Sequence, residues 1–83
     1  MKAPKHIARV KQLPCVACRG PATDAHHIRM TPIIGAGQKA SDWLTMPLCR
    51  TDHADLHADI PMWEMRYGRQ IDHVVATLNR LYR

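Results

Sequence analysis

The chain has 83 residues and a net charge of +5, and both properties limit what it can be. A chain of this length forms one domain and buries too little apolar surface to be stable without a further cross-link, so a bound metal is expected. No apolar run is long enough to span a bilayer or to form the core of a signal peptide, which predicts a cytoplasmic protein without a membrane partner. The three cysteines, in a reducing compartment, favour a metal site over a disulfide framework.

Basic residues are concentrated at the amino terminus, where several precede the first acidic residue, Asp24: Lys2, Lys5, Arg9, Lys11 and Arg19. This asymmetry favours a polyanionic partner, nucleic acid first, because neutralising phosphates releases condensed counterions. The alternative is an ordinary solubilising surface. We interpret residues 1–13 as a basic arm, in which residues 5–13 could form a short helix that Pro14 ends.

A zinc knuckle and a hairpin are predicted next along the chain. Cys15 and Cys18 lie in the turn CVACRGP, where two intervening residues let both sulfurs face one ion. Residues 22–28 and 43–48 have the composition of strands and are expected to pair antiparallel. The connection between them, residues 29–42, is long for a hairpin and is therefore expected to be functional or mobile.

The rest of the chain is predicted to be helical. Thr51 or Asp52 can cap a helix that carries two histidines, and Pro61 can open a short helix that ends at Gly68. From Gln70 onward an apolar stripe predicts an amphipathic helix. The stripe consists of Ile71, Val74, Val75, Leu78 and Leu81. We therefore expect a small α+β fold in one domain, residues 1–83, with C-terminal helices over residues 61–83.

Cys15, Cys18 and Cys49 can supply three thiolates to a structural zinc ion. The fourth ligand should follow Cys49 closely, where Asp52 and His53 are the candidates. A redox role for the Cys-x-x-Cys pair is the alternative, but the sequence lacks the strand-helix-strand context of such proteins, and the third cysteine would have no role.

A second metal site is predicted from histidines. His53 and His57 lie four residues apart on one helix face, so both can reach one ion, and a third imidazole from the preceding strand would leave coordination positions open. That third ligand is His26 or His27. Because consecutive strand residues point to opposite sides, only one can face the ion, and the other is free to take a proton from water. His6 is expected to be a solvated or hydrogen-bonded side chain.

The remaining notable side chains receive structural interpretations. His73 is expected to be solvated or hydrogen-bonded, and Trp43 and Trp63 are expected to pack in the core or between helices. The aspartates of the histidine helix, Asp55 and Asp59 among them, are expected to be solvated or to orient imidazoles.

The order of these motifs resembles that of the HNH endonucleases. The elements that carry the resemblance are CVAC, AHHI, DWLTMPLC and RTDHADLH, and they span residues 13 to about 68. The stretch from His26 to Asp59 is especially similar to the Ref-like, RecA-dependent nucleases of phages. The resemblance implies a ββα-metal core over residues 14–60, stapled by a zinc knuckle, in a phage or prophage protein of recombination or DNA processing.

The resemblance also implies individual roles. His27 would be the general base and His26 a ligand of the catalytic ion, together with His53 and His57. Asp42 stands where the family has its asparagine, so its role would be to brace the loop or to orient the base. At the family's fourth zinc position the chain has Asp52. The implied partners are DNA and a RecA-type filament or another recombination protein.

Basic residues beside these motifs are candidate phosphate contacts: Arg29, Lys39 and Arg50. The predicted activity is metal-dependent hydrolysis of DNA phosphodiesters. Imidazole ligands favour a transition ion such as zinc, whereas phosphoryl hydrolysis often uses magnesium, so Mg, Mn and Zn all remain candidates. The alternative is a non-catalytic, zinc-stabilised DNA-binding or adaptor module, which would leave Cys49 and the two adjacent histidines without a role.

Overall fold

The computed structural model describes residues 2–29 and 40–83. Within these residues the element order is α1 (Pro4–Val10), β1 (Asp24–His27), β2 (Thr45–Leu48), α2 (Arg50–Ala58), α3 (Ile60–Tyr67) and α4 (Gln70–Tyr82). The predicted small α+β class is confirmed. Most of the predicted loop, residues 29–42, lies outside the described residues, and so does Lys39.

The two strands form the antiparallel hairpin that the sequence predicts, although each is shorter than expected. Residue 24 pairs with residue 48 and residue 27 with residue 45. All four residues of β2 are buried, because this strand contacts α1 and α4 as well as β1. In β1 only His26 is buried, and its neighbour His27 is half-buried, as expected for adjacent side chains on opposite faces of a strand.

The cysteine turn is closed by backbone hydrogen bonds. The amide of Cys15 donates to the carbonyl of Gly20 over 2.8 Å, and the amide of Arg19 donates to the carbonyl of Cys15 over 2.9 Å. Arg19 has a φ of 67°, a left-handed conformation that tightens the turn. The turn is fixed next to β2 because the amide of Val16 donates to the carbonyl of Pro47.

Helices α2 and α3 begin at caps that the sequence analysis did not identify. Cys49, and not Thr51 or Asp52, is the N-cap of α2, since its Sγ accepts a hydrogen bond from the amide of Asp52. Asp59 caps α3 through the amide of Met62. The side chains proposed as caps lie inside the first turn of α2, because this helix begins directly after β2 at Arg50.

Gly68 ends α3, as predicted, and its φ of 98° explains why glycine stands there. This conformation is costly for residues with a Cβ atom. Space is not the reason, because a Cβ at this position would meet Nε2 of His73 at an ordinary contact distance of 3.5 Å. The short link between α3 and α4 therefore depends on glycine.

The apolar stripe predicted for α4 is correct at Val74, which is fully buried, but wrong at Val75, which is 49% exposed. Two polar residues of α4, Gln70 and Thr77, are buried instead. Their side chains are satisfied by hydrogen bonds; Oγ1 of Thr77, for example, donates to the carbonyl of His73. Burial of hydrogen-bonded polar groups explains the departure from the simple hydrophobic pattern.

The basic N-terminal segment is a packed helix and not a free arm. In α1 His6 and Val10 are buried, and the helix contacts both β2 and α4. Nδ1 of His6 lies 2.7 Å from the hydroxyl oxygen of Tyr82, near the other end of the chain. The charged side chains Lys5 and Arg9 remain exposed.

A small core joins these elements. It contains Cys15, Ile28, Met46, Leu48, Leu56, Trp63 and Val74. The prediction that Trp63 is a core residue is confirmed, whereas Trp43 is 39% exposed and packs against the ring of His6. Among the described residues, none of the helices has the length and apolar character needed to cross a membrane.

Candidate metal centres and pocket

Three histidines converge at the junction of β1 and α2, and we call His26, His53 and His57 the imidazole cluster. One nitrogen from each ring lies within 4.8 Å of the other two. Nδ1 of His26 is 3.1 Å from Nε2 of His53, and Nε2 of His57 is 3.0 Å from that same Nε2. Strand β1 and helix α2 thus bring together the ligands that the sequence predicts.

These separations fit one shared ion. Nitrogens bound 2.0–2.1 Å from a metal are about 2.9–3.4 Å apart for bond angles of about 90–110°. Both distances from Nε2 of His53 fall in this range. Of the two adjacent histidines, His26 is the one that faces the cluster, and His27 is not part of it.

Asp24 orients His53, a role that the sequence analysis missed. Its Oδ2 accepts a hydrogen bond from Nδ1 of His53 over 2.8 Å. This hydrogen bond holds the pKa of Asp24 below its usual range. With Nδ1 protonated, Nε2 of His53 carries a lone pair towards the cluster, an arrangement common for metal-binding imidazoles. Asp24 lies two residues before His26 on the same strand, a spacing that could have indicated a shared face.

His26 is the most buried ligand, with an exposure of only 1%. Burial lowers its pKa to about 4, although the hydrogen bond with Gln70 opposes this shift. The ring is therefore neutral at pH 7 and able to bind a cation. Burial and the nearby His53 also lower the pKa of His57.

His27 lies beside the cluster and is paired with Asp42. Nε2 of His27 and Oδ1 of Asp42 are 2.7 Å apart, and the side chains are 43% and 22% exposed. Oδ2 of the same carboxylate accepts a hydrogen bond from the amide of Ala3 over 2.8 Å. The bond from His27 is the main reason why the pKa of Asp42 lies below its usual value. The structure thus brings together the two residues named as the base and its orienting group.

A pocket of about 580 Å³ joins the imidazole cluster to the His27–Asp42 pair, since all five side chains line it. Two basic residues, Lys2 and Arg29, also line this pocket. Arg50, a predicted phosphate contact, is 83% exposed and lies 3.7 Å from Oδ1 of Asp24. The sequence marked Lys2 only as part of the basic N-terminal segment, because it lies far along the chain from the metal motifs.

A second group of ligands lies at the cysteine turn, and we call Cys15, Cys18, Cys49 and Asp52 the cysteine cluster. One ligand atom from each residue lies within 4.8 Å of the others. The two sulfurs of Cys18 and Cys49 are 3.8 Å apart. Thiolates bound 2.3 Å from one tetrahedral zinc are also about 3.8 Å apart, so these sulfurs fit such a site.

Asp52, and not His53, is the fourth member of the cysteine cluster. Its Oδ2 lies 3.2 Å from Sγ of Cys15 and 3.1 Å from Sγ of Cys49. The carboxylate is only 9% exposed and no ion pair within 4 Å is found for it in residues 2–29 and 40–83. A nearly buried carboxylate whose neighbours are thiols favours a cation at this position.

The pKa of the Cys49 thiol depends on the same carboxylate. The amide of Asp52 lowers the pKa of Cys49, but the carboxylate of Asp52, together with burial, outweighs it and raises the pKa to about 12. Without a cation the sulfur is therefore a neutral thiol. A metal ion favours the thiolate form and would reverse this preference.

Comparison with known proteins assigns the chain to a family. A family model described as a protein of unknown function (DUF968) matches residues 1–83. The chain belongs to the DUF968 family. It is also 38% identical over 76 residues to the uncharacterized protein YdfU of Escherichia coli (strain K12), covering 92% of this chain and 22% of YdfU. The chain thus spans about a fifth of the length of this relative. No solved structure matches it.

Proposed function

We propose that this DUF968 chain is a metal-dependent DNA endonuclease of the HNH type. The observation that carries the proposal is the imidazole cluster sharing one pocket with the His27–Asp42 pair. This combination supplies three imidazole nitrogens for a cation and, beside them, a histidine that can accept a proton. Endonuclease chemistry needs both functions in one site.

The order of the elements supports the same proposal. β1 and β2 form a hairpin, and α2 follows β2 directly. One ligand comes from the hairpin and two come from the helix, which is the ββα-metal arrangement that the resemblance to HNH endonucleases implies. The cysteine cluster lies where that resemblance implies a structural zinc.

In the proposed reaction the imidazole cluster binds the metal ion and His27 accepts the proton. A divalent ion held by the imidazole cluster would stabilise negative charge on the phosphate and on the departing 3′ oxygen. His27 donates its Nε2 proton to Asp42, so Nδ1 is the nitrogen available to take a proton from the attacking water. Two hydrogen bonds hold the Asp42 carboxylate, one from His27 and one from the amide of Ala3, and this fixes the ring of His27.

The charge of the chain supports a nucleic-acid substrate. Lys2 and Arg29 line the pocket, and the net charge is +5. Basic side chains at these positions can bind the phosphates that flank the cleaved bond. Lys39 and Arg50 stay predictions as phosphate contacts, and so does a RecA-type filament as a partner.

Nicking of supercoiled plasmid DNA tests the proposal. The wild-type chain is expected to nick the plasmid with Mg²⁺ or Mn²⁺ and to lose this activity with a chelator. His27→Ala should lower the cleavage rate by about 10²–10⁴-fold, the usual contribution of a general base, while DNA and metal binding persist. His73→Ala is the matched control, because this imidazole lies outside the pocket and contacts the carbonyl of Tyr67.

The outcomes also separate the proposal from the alternative of a zinc-stabilised binding module. That alternative predicts DNA binding without nicking by the wild-type chain under any divalent ion. Equal nicking by wild type and His27→Ala would contradict the assignment of the base. A loss of nicking in His73→Ala as large as that in His27→Ala would attribute the effect to folding.

A further inference from the structure

Gln70, the first residue of α4, is buried completely although it is polar and lies far along the chain from the metal motifs. Its side chain contacts both the ring of His26 and the backbone of Arg29. Oε1 lies 2.8 Å from Nε2 of His26 and 3.0 Å from the amide nitrogen of Arg29. Nε2 of Gln70 donates to the carbonyl of Arg29 over 2.8 Å.

The backbone of Arg29 fixes the orientation of the Gln70 amide. In the opposite orientation the NH₂ group would face the N–H of Arg29, and the oxygen would face the carbonyl of Arg29. Both contacts would be repulsive, and neither backbone group would have its partner. The oxygen of Gln70 must therefore face His26.

This orientation selects one tautomer of His26. A carboxamide oxygen only accepts hydrogen bonds, so Nε2 of a neutral His26 must carry the proton and Nδ1 must carry the lone pair. Asp24 selects the lone pair on Nε2 of His53 in the same way. The two lone pairs face each other across 3.1 Å, an arrangement that is unfavourable unless a cation lies between them.

We propose that Gln70 is a positioning residue that holds His26 with its Nδ1 lone pair directed at the ion shared with His53 and His57. This inference rests on the proposed function, because it assumes that the imidazole cluster binds a divalent ion. The backbone N–H of Gln70 donates a hydrogen bond to Oε2 of Glu64 over 2.8 Å, which fixes the start of α4. Helices α3 and α4 thereby brace a ligand that belongs to β1.

Two substitutions separate the role of Gln70 in orienting His26 from its role in packing. Gln70→Met keeps the length of the side chain but removes the acceptor and the donor. Gln70→Glu keeps the acceptor and, when protonated, can also donate to Arg29. Thr77→Val is the matched control, because it removes another buried hydrogen bond of α4 without contacting the imidazole cluster.

Long-range ¹H–¹⁵N NMR spectra of the histidine rings in the metal-free chain report the tautomer directly. We expect the Nε2–H form of His26 in the wild type, in Gln70→Glu and in Thr77→Val, and a mixture of tautomers in Gln70→Met. Titration with Mn²⁺, which prefers nitrogen and oxygen ligands to thiolates, measures affinity at the imidazole cluster. The affinity should fall by about 10–100-fold in Gln70→Met and change little in the other two variants.

The Nδ1–H form of His26 in the metal-free wild type would overturn the inference, and this measurement does not depend on whether Gln70→Met folds. Wild-type Mn²⁺ affinity in a folded Gln70→Met would overturn it as well. A wild-type chain that shows the Nε2–H form but does not cleave DNA would contradict only the proposed function. The two failures are therefore distinguishable.

Discussion

At the scale of single residues, spacing alone predicted the local pairs of each candidate metal centre, but it left the third imidazole and the fourth ligand of the cysteine cluster open. His53 and His57 are separated by one helical turn, and Cys15 and Cys18 by one tight turn, so local geometry brings each pair together. Of the residues that orient them, Asp24 could have been recognised from its spacing to His26, whereas Gln70 could not. Gln70 is 44 positions from His26. A polar residue outside the apolar stripe of α4 is not expected to be buried, so the sequence did not indicate its contact with His26.

Substitution of Asp24 tests whether residues that hydrogen-bond to the imidazole ligands determine the affinity for metal. Asp24→Ala removes the acceptor for Nδ1 of His53, so either nitrogen of the ring can then carry the proton. We expect the Mn²⁺ affinity of the imidazole cluster to fall by about 10–100-fold. Calorimetric titration measures this change.

Asp72→Ala is the matched control for Asp24→Ala. Asp72 is also paired with a neighbouring side chain, Arg69, but it does not line the pocket. Its substitution should leave the Mn²⁺ affinity unchanged. Wild-type affinity in Asp24→Ala would show that His53 keeps its orientation without the carboxylate.

At the scale of elements, the hairpin and the helices were predictable because their hydrophobic periods and their glycine and proline boundaries are local. The caps were less predictable. Cys49 caps α2 with its sulfur while also belonging to the cysteine cluster, and sequence rules favour oxygen-bearing side chains as caps. Cys49 therefore directly follows β2, caps α2 and belongs to the cysteine cluster at the same time.

Strand β2 is the element on which the packing depends most, because it contacts β1, α1 and α4. Leu48 ends this strand and is completely buried. Leu48→Ala should lower the free energy of unfolding by about 2–5 kcal/mol through lost burial and the cavity that remains. Chemical denaturation of the zinc-loaded chain measures the change.

Val75→Ala is the comparison for Leu48→Ala, since Val75 is 49% exposed. Its effect should stay within about 0.5 kcal/mol, as is usual for surface substitutions. Equal destabilisation by the two substitutions would contradict the assignment of Leu48 to the core.

At the scale of the whole molecule, the small size of the chain favours a bound metal ion as an additional source of stability. Within residues 2–29 and 40–83 the core contains few fully buried apolar side chains, and an 83-residue chain buries a modest fraction of its surface. The cysteine cluster connects the turn after α1 with the start of α2, two regions that are distant in sequence. Zinc bound there would contribute its binding free energy directly to folding.

Removal of zinc is therefore expected to lower the melting temperature by several degrees or more, and added zinc should restore it. Cys18→Ser should reduce the stabilisation by zinc, whereas His57→Ala should leave most of it intact, since His57 is not part of the cysteine cluster. Calorimetric melting with and without a chelator measures both effects. A melting temperature independent of zinc would exclude a structural role for the cysteine cluster.

The hydrogen bond between the amide of Ala3 and the carboxylate of Asp42 has a practical consequence for how the chain is attached to other polypeptides. Lys2 borders the pocket, so a tag or a fused domain placed ahead of it emerges at the rim of the site and next to the group that orients His27. A bulky N-terminal fusion would therefore obstruct the opening that the proposed DNA substrate would use, and it would also disturb the backbone amide that binds Asp42.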